Sequence, residues 1–279
     1  MKSSRIVSLV PSLTQTVCGF GLRSSLVGCT NFCIDPVGLQ RTAKLVGGTK
    51  DPDIQEIRKL EPTHILVNEE ENTPQVIEAC KQIASTFVSF PKDPHEVPAM
   101  LRDLGAFLGV PEVGLKHADD CVERFADLAE LVGEKLAAGS WLPKKYIYLI
   151  WRNPWMTVSK DTYISSMLSL VAFENVAPPG TRYPALSAEQ IVECGPDLLL
   201  LSSEPFPFRE RDCIALYGEM GACMDKAIAT SPLPFKADGK LFSWYGLVLI
   251  EALEKMIQWV EARPQDLIRP MGNKLTSLD

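Results

Sequence analysis

Residues 54–70, "IQEIRKLEPTHILVNEE", align without a gap on residues 188–204, "AEQIVECGPDLLLLSSE". Ile57 falls on Ile191, Pro62 on Pro196, Leu66 on Leu200 and Glu70 on Glu204. Each stretch reads as an amphipathic helix, a proline break, a buried strand, and an acidic residue at the strand's C-terminal end. Helix–proline–strand is a common unit of α/β proteins, so these two segments alone leave a true repeat and a chance likeness both open. Two similar α/β halves are the simplest arrangement of the whole chain.

Upstream, "RIVSLVP" reads as a strand, "SLTQTVCGFG" as a helix and "LVGCTN" as a second strand. Ser12 and Gln15 stand at capping-box spacing at that helix's start. Downstream, "TPQVIEACKQI" is a helix and "TFVSF" a strand. This βαβ rhythm predicts a mostly parallel sheet flanked by helices. It stops between Asp93 and Gly139, where "PEVGLKHADDCVERFADLAELVGEKLAAG" (111–139) predicts one long helix. Pro111 stands near its start and Gly139 just past its end, with Leu115, Cys121, Val122, Phe125, Leu128 and Leu131 as apolar positions. The rhythm resumes with "KKYIYLIW" (strand), "TYISSMLSLV" and "LSAEQIVECGP" (helices), and "DLLLLSSE" and "KLFSWYG" (strands). The helix "LVLIEALEKMIQWVEA" closes it. The expected division is an α/β lobe over 1–110, a linker helix over 111–140 and a second α/β lobe over 141–279.

The 279 residues are 46% hydrophobic and 23% charged, as in an ordinary globular protein with room for two lobes. A net charge of −7 argues against a nucleic-acid partner, which would need clustered Lys and Arg. No apolar run is long enough to predict a transmembrane helix. The chain passes from Met-Lys-Ser-Ser-Arg straight into "IVSLVPS" with no apolar signal region. A cytoplasmic location is therefore expected, or a periplasmic one if a leader has been removed. The eight scattered cysteines (18, 29, 33, 80, 121, 194, 213 and 223) fit a reducing compartment better than a disulfide framework. Cys18, Cys80, Cys121 and Cys194 fall in helical patterns and read as small core residues.

Catalytic and metal motifs are missing. There is no CxxC and no histidine pair at zinc spacing, so no metal site is expected. "GGTK" (47–50) has the wrong order for a phosphate loop, and no GxGxxG or GxSxG occurs. His64 lies in an apolar strand and reads as a hydrogen-bonded core residue, whereas His95 and His117 read as solvated. With no evident base or nucleophile, binding is preferred to catalysis. The most unusual segment is "IWRNPWMTVSKD" (150–161), which puts two tryptophans, an arginine and a proline where a connection ordinarily carries small polar residues. Trp151 and Trp155 there need cover, from the core or from a ligand.

Five segments taken in order, "RIVSLVPSLTQTVCGFG", "GGTKDPDIQEIRKLEPTHILVNEEEN", "IWRNPWMTVSKDTYISSML", "LLLLSSEPFPF" and "SWYG", resemble the helical-backbone substrate-binding proteins of ABC transporters. Within that group the likeness is nearest to vitamin-B12 and related metal-chelate receptors. The resemblance implies two α/β lobes joined by one long helix, with a ligand cleft between them and no catalytic activity or resident cofactor. It implies a corrinoid or other metal chelate as ligand. Its apolar faces would meet Pro11, Phe32, Trp151, Trp155, Phe206 and Trp244, and its polar edges would suit Ser12, Asn31, Arg152 and Tyr245. Trp244 and Tyr163 are open to a second reading, as plugs of the lobe cores. The family docks on its permease through one acidic residue per lobe. Glu70 and Glu204 are the matching pair, with Glu69 and Glu71 as neighbours that leave the first uncertain by one. Cys33, in "NFCIDP", reads as a buried thiol, with a thiolate ligand to a metal centre as the alternative. Rival functions are a cytoplasmic carrier or sensor of the same ligand and, last, an enzyme acting on a bound chelate.

Overall fold

The computed structural model describes residues 4–223, 232–262 and 268–270, and they fall into two compact units. Unit 1 takes the chain up to Pro91, then His95–Glu123 and Tyr245–Ile250; unit 2 takes Lys92–Pro94, Arg124–Trp244 and the residues from Glu251 on. The short run Tyr245–Ile250 thus belongs with unit 1, although it follows most of unit 2 in sequence.

In unit 1 the strands are β1 (Ile6–Ser8), β2 (Leu26–Cys29), β3 (Lys44–Leu45), β4 (His64–Asn68) and β5 (Ser85–Ser89), and every pairing in the sheet, ordered β3-β2-β1-β4-β5, is parallel. The centre of the sheet is covered on both faces, which is why β1 and β4 read as nearly unbroken apolar runs. Ile57 of helix α2 (Ile54–Lys59) and Ile77 of helix α3 (Pro74–Lys81) pack with Val7, Leu9, Ile65 and Val67 in its core. Local chemistry starts these helices. The Asp53 carboxylate accepts from the Gln55 and Glu56 N–H groups at 2.9 and 3.0 Å, and Thr73 caps α3 ahead of Pro74.

Helix α1 (Pro11–Gly19) corrects one expectation. Its N-cap is Val10, with no side-chain cap, and Pro11 occupies the first turn. Ser12 is therefore inside the helix, two residues too late to cap it. A capping box does occur at Ser187–Gln190, opening helix α7 (Ala188–Glu193) in the second of the two aligned segments. Helices α4 (Val97–Phe107) and α5 (Pro111–Ala137) cross at Gly105 and Gly114, where a Cβ on Gly105 would stand 2.7 Å from the Gly114 Cα. Any side chain would push the two backbones apart, so Gly114, a weak helix former, is required there.

The long helix forms where it was expected, but its buried stripe is displaced. Ala118, Cys121, Leu128 and Val132 are buried, while Leu115 and Val122 are 44% and 53% exposed. Hydrophobicity alone did not distinguish the stripe from its flanks.

Unit 2 is built on β6 (Lys144–Trp151), β7 (Trp155–Thr157), β8 (Phe173–Asn175), β9 (Ala185–Leu186), β10 (Leu198–Ser202), β11 (Leu233–Ala237) and β12 (Ile268–Pro270). Strands β8, β6, β10 and β11 form a parallel centre, with β7, β9 and β12 added antiparallel. Its core joins Ile147, Leu149, Leu199 and Leu201 to Ile191 of α7 and to Cys213 and Leu216 of helix α8 (Glu210–Cys223). The expected strand "KLFSWYG" is instead helix α9 (Gly239–Ser243), capped by the Asp238 carboxylate, followed by extended Trp244. Helix α6 (Tyr163–Ser169) and helix α10 (Val248–Ala262) agree with their sequence patterns.

Candidate functional site

Beyond the C-terminal ends of the parallel strands each unit carries an aromatic face. In unit 2 it grows from the hairpin between β6 and β7. Within "IWRNPW" (150–155) Arg152–Pro154 form a tight turn: Trp151 ends β6, Asn153 takes a φ of 62°, and Trp155 begins β7. Trp151 stays 42% exposed and meets Phe206 edge-on, with centroids 5.6 Å apart. Phe206 in turn lies edge-on to Phe208 at 4.8 Å.

Trp155 points the other way. It is 6% exposed, stacks on Phe208 at 6.3 Å, and its indole N–H donates to Glu219 Oε2 at 2.7 Å. The two tryptophans divide the roles left open for them: Trp151 presents a ring, whereas Trp155 anchors the hairpin in the core.

Arg152 is committed locally as well. Its guanidinium lies 5.3 Å from the Trp155 ring centroid and pairs through Nη1 with Asp212, whose side chain is 2% exposed. Burial works against the Asp212 charge, but the Arg209 backbone N–H at 2.9 Å and the Arg152 guanidinium hold its carboxyl below the usual range. Asp212 and Glu219 were not singled out from the sequence. Both stand on α8, and only the fold brings them under the hairpin.

Glu204 and Trp244 form a second cluster in unit 2. Glu204 follows β10, is half-buried, and accepts hydrogen bonds from the Trp244 indole and from Ser243 Oγ at 3.4 Å. Desolvation raises its carboxyl above the ordinary value despite those bonds. Lys240 Nζ lies 4.9 Å from the Trp244 ring centroid.

In unit 1 the corresponding face is the loop after β2. Phe32, Ile34 and Val37 are 59%, 63% and 82% exposed, an apolar group that water solvates poorly. Asn31 is exposed beside them, its N–H donating to the Gly47 carbonyl at 2.9 Å. Pro11, Ser12 and Tyr245 are buried, with the Tyr245 hydroxyl 3.0 Å from Ser89 Oγ. Buried as they are, these three do not present a surface of their own. Glu70 is half-buried; its N–H donates to Asn68 Oδ1 at 2.8 Å and its carbonyl accepts from Lys50.

The histidines do not add chemistry. His64 bonds Thr63 Oγ1 at 2.9 Å and lies edge-on to Phe107, and burial lowers its basicity. His117, expected to be solvated, is instead stacked on Phe20 at 5.7 Å. Among the described residues no group of three or more His, Cys, Asp or Glu could hold a metal ion, and no helix is long and apolar enough to cross a membrane.

Two α/β units with parallel sheet centres, a long helix running from one into the other, and ring-bearing loops at the strand ends define a binding-protein architecture. Residues 6–233 match the sequence model of the family described as periplasmic binding protein, and the chain belongs to that family. An ABC transporter substrate-binding lipoprotein of Bacillus subtilis, YvrC, itself uncharacterised, is 24% identical over 200 residues, 70% of this chain and 62% of that protein. This chain therefore spans less than two thirds of that relative's length. The fold is shared with the periplasmic vitamin B12 binding protein BtuF of Vibrio cholerae (TM-score 0.73, 21% identity, 92% of this chain and 96% of that one). It is also shared with a periplasmic heme binding protein from Pseudomonas aeruginosa (TM-score 0.78, 19% identity, 96% and 98%). These relatives are described as lipoprotein or periplasmic, so the cytoplasmic expectation finds no support among them.

Proposed function

We propose that this protein is a receptor for a broad, flat metal chelate of the corrinoid or heme class, which it delivers to an ABC transporter. The observation that carries the reading is the exposed Trp151 ring set edge-on against Phe206 at the end of β6. Aromatic rings bury a large apolar area at small entropic cost, and a chelate macrocycle offers a matching face. Trp244 is proposed as a further contact on unit 2, with Arg152 and Trp155 holding the hairpin in place; on unit 1, taken by itself, Phe32 and Asn31 are the proposed contact surface, with Pro11, Ser12 and Tyr245 as buried support. The vitamin B12 and heme receptors that share the fold support the ligand class.

A titration of tryptophan fluorescence with cyanocobalamin, run in parallel with heme, tests this. Saturable quenching at micromolar ligand or below, weakened in Trp151→Ala, is expected. Absence of quenching by both ligands would sink the chelate reading. Docking on the permease is proposed for Glu70 and Glu204, which occupy equivalent positions after β4 and β10. The double change to alanine should abolish stimulation of a reconstituted transporter even when the variant is saturated with ligand; full stimulation would remove the pair from that role.

A further inference from the structure

Arg152 is committed to Asp212, but two arginines of unit 1 have no such partner. Strands β2 and β3 are parallel neighbours, so the chain between them returns along the sheet's edge to the N-terminal end of β3. Asn31 and Phe32 stand at the start of that return, and Arg41 stands just before β3. Arg23 lies just before β2, at the same N-terminal end of the sheet. Both arginines are therefore removed from the strand ends that carry the proposed chelate contact.

Their side chains close on one turn. Arg23 Nη2 donates to the Val37 carbonyl at 3.2 Å. Gly38 follows with a φ of 83°, and a Cβ there would stand 3.1 Å from Arg41 Nη2, 3.5 Å from Arg41 Nε and 3.7 Å from Arg23 Nη2. Glycine thus leaves open a spot that both guanidiniums border. The turn itself is anchored. Leu39 and Ala43 are buried, the Arg41 N–H donates to the Gly38 carbonyl at 3.2 Å, and Thr42 Oγ1 donates to the Leu39 carbonyl at 3.0 Å. Arg23 and Arg41 are exposed, and among the described residues neither is paired with a carboxylate. Two like charges brought to one spot repel each other, and an anion between them would relieve that repulsion.

We propose that Arg23 and Arg41 form an oxyanion site over Gly38 that takes a phosphate group. A guanidinium presents a planar fork of N–H donors that matches phosphate oxygens, and the bond to Val37 uses only part of the Arg23 fork. A pair of cations suits the higher charge of phosphate better than that of a carboxylate, for which one arginine suffices. Free inorganic phosphate and the headgroup of an anionic phospholipid present this same group. Val37, exposed beside the arginines, would add an apolar contact to the second source only.

Arginine side-chain NMR on isotope-labelled protein tests the site, with inorganic phosphate as probe and sodium chloride at matched ionic strength as control. Saturable shifts of the Arg23 and Arg41 Nε–H resonances are expected with phosphate and not with chloride. In Arg41→Gln the Arg23 resonance should need about tenfold more phosphate, because one set of charge-assisted bonds is gone. An Arg23 curve unchanged in that variant, or shifts that chloride reproduces, would overturn the proposal. Sedimentation with phosphatidylglycerol and phosphatidylcholine vesicles separates the two sources. Retention on the anionic vesicles alone, lost in the double variant Arg23→Gln with Arg41→Gln, assigns the lipid headgroup. No retention, with the phosphate shifts intact, assigns the free anion. Retention undiminished in the double variant would overturn a headgroup contact at this pair.

Discussion

The central strands of the two units are held by the same hydrogen bonds. In unit 1 the Thr63 N–H donates to the Arg5 carbonyl at 2.8 Å and the Arg5 N–H to Thr63 Oγ1 at 2.9 Å. In unit 2 the Asp197 N–H donates to the Lys145 carbonyl at 2.8 Å and the Lys145 N–H to Asp197 Oδ2 at 2.8 Å. At the other end of the strands, Glu69 N–H to Ser89 O at 3.1 Å matches Ser203 N–H to Ala237 O at 3.0 Å. The register pairs Ile6 with His64 in one sheet and Tyr146 with Leu198 in the other, so Pro11 in unit 1 corresponds to Trp151 in unit 2. There the units part. Pro11 starts a helix at once and is buried; Trp151 prolongs its strand into a hairpin and keeps its ring in solvent. One frame thus supports two kinds of strand end, and the residue at the branch decides which.

The polar locks below the branch differ too, and their difference should give the largest effects. The buried Asn68 amide accepts from the Glu70 and Glu71 N–H groups at 2.8 and 3.1 Å and donates to the Ser89 carbonyl at 2.9 Å. Its counterpart Ser202 accepts from the Tyr148 hydroxyl at 3.1 Å and donates to the Glu204 carbonyl at 2.5 Å. Asn68→Ala should cost about 3 kcal/mol, because it strands the Glu70 and Glu71 N–H groups, whereas the Ser89 carbonyl keeps the Glu69 N–H; Ser202→Ala should cost about 1–2 kcal/mol. Urea unfolding of the two variants measures the gap; equal losses would show that the two locks are equivalent.

Arg152→Ala comes next. It removes the closer of two cations from the buried Asp212 carboxylate, leaving exposed Arg211 at 4.0 Å, and should lower stability by about 2 kcal/mol. The same unfolding assay checks it, and a midpoint like that of the parent would mean the pair contributes nothing net. Trp151→Ala should weaken chelate binding by roughly 1–3 kcal/mol, through the loss of buried ring area. Its thermal midpoint should change little. A large fall in the midpoint with unchanged affinity would place the ring in the core instead.

The smallest effect is expected at Glu204. Burial raises its carboxyl in the folded state, so the folded protein holds that proton more tightly than the unfolded chain does. Its contribution is therefore most favourable at acid pH and is lost as pH rises through the raised folded value. Glu204→Gln should unfold at a slightly higher temperature than the parent at neutral pH, with the gap closing on acidification. Parallel melting profiles across pH would break this reading.

Much of the frame was legible because its signals are local. The strand "KKYIYLIW", the helix over 111–137 and the repeated helix–proline–strand each carry enough apolar periodicity to declare themselves. "KLFSWYG" misled because its β-prone residues outweighed the Asp238 cap that starts a helix there. The site was legible as a set of segments but not as a set of roles. Trp151 and Trp155 flank the same turn and have the same chemistry, yet one is exposed and the other buried. Cys33 reads as a buried thiol from its sequence, and only the fold brings the Thr14 and Thr30 hydroxyls to 3.1 and 3.2 Å from its sulfur.

The sequence by itself determined the α/β class, most of the strands and helices, and which loops carry rings at the strand ends. Those properties follow from side-chain pattern over a few neighbouring residues. Tertiary structure alone decided which ring meets solvent, which arginine is already paired, and which cysteine lies under two hydroxyls. Each of these depends on residues brought together from different elements, such as Arg152 with Asp212 or Thr14 with Cys33, and no local pattern records that meeting.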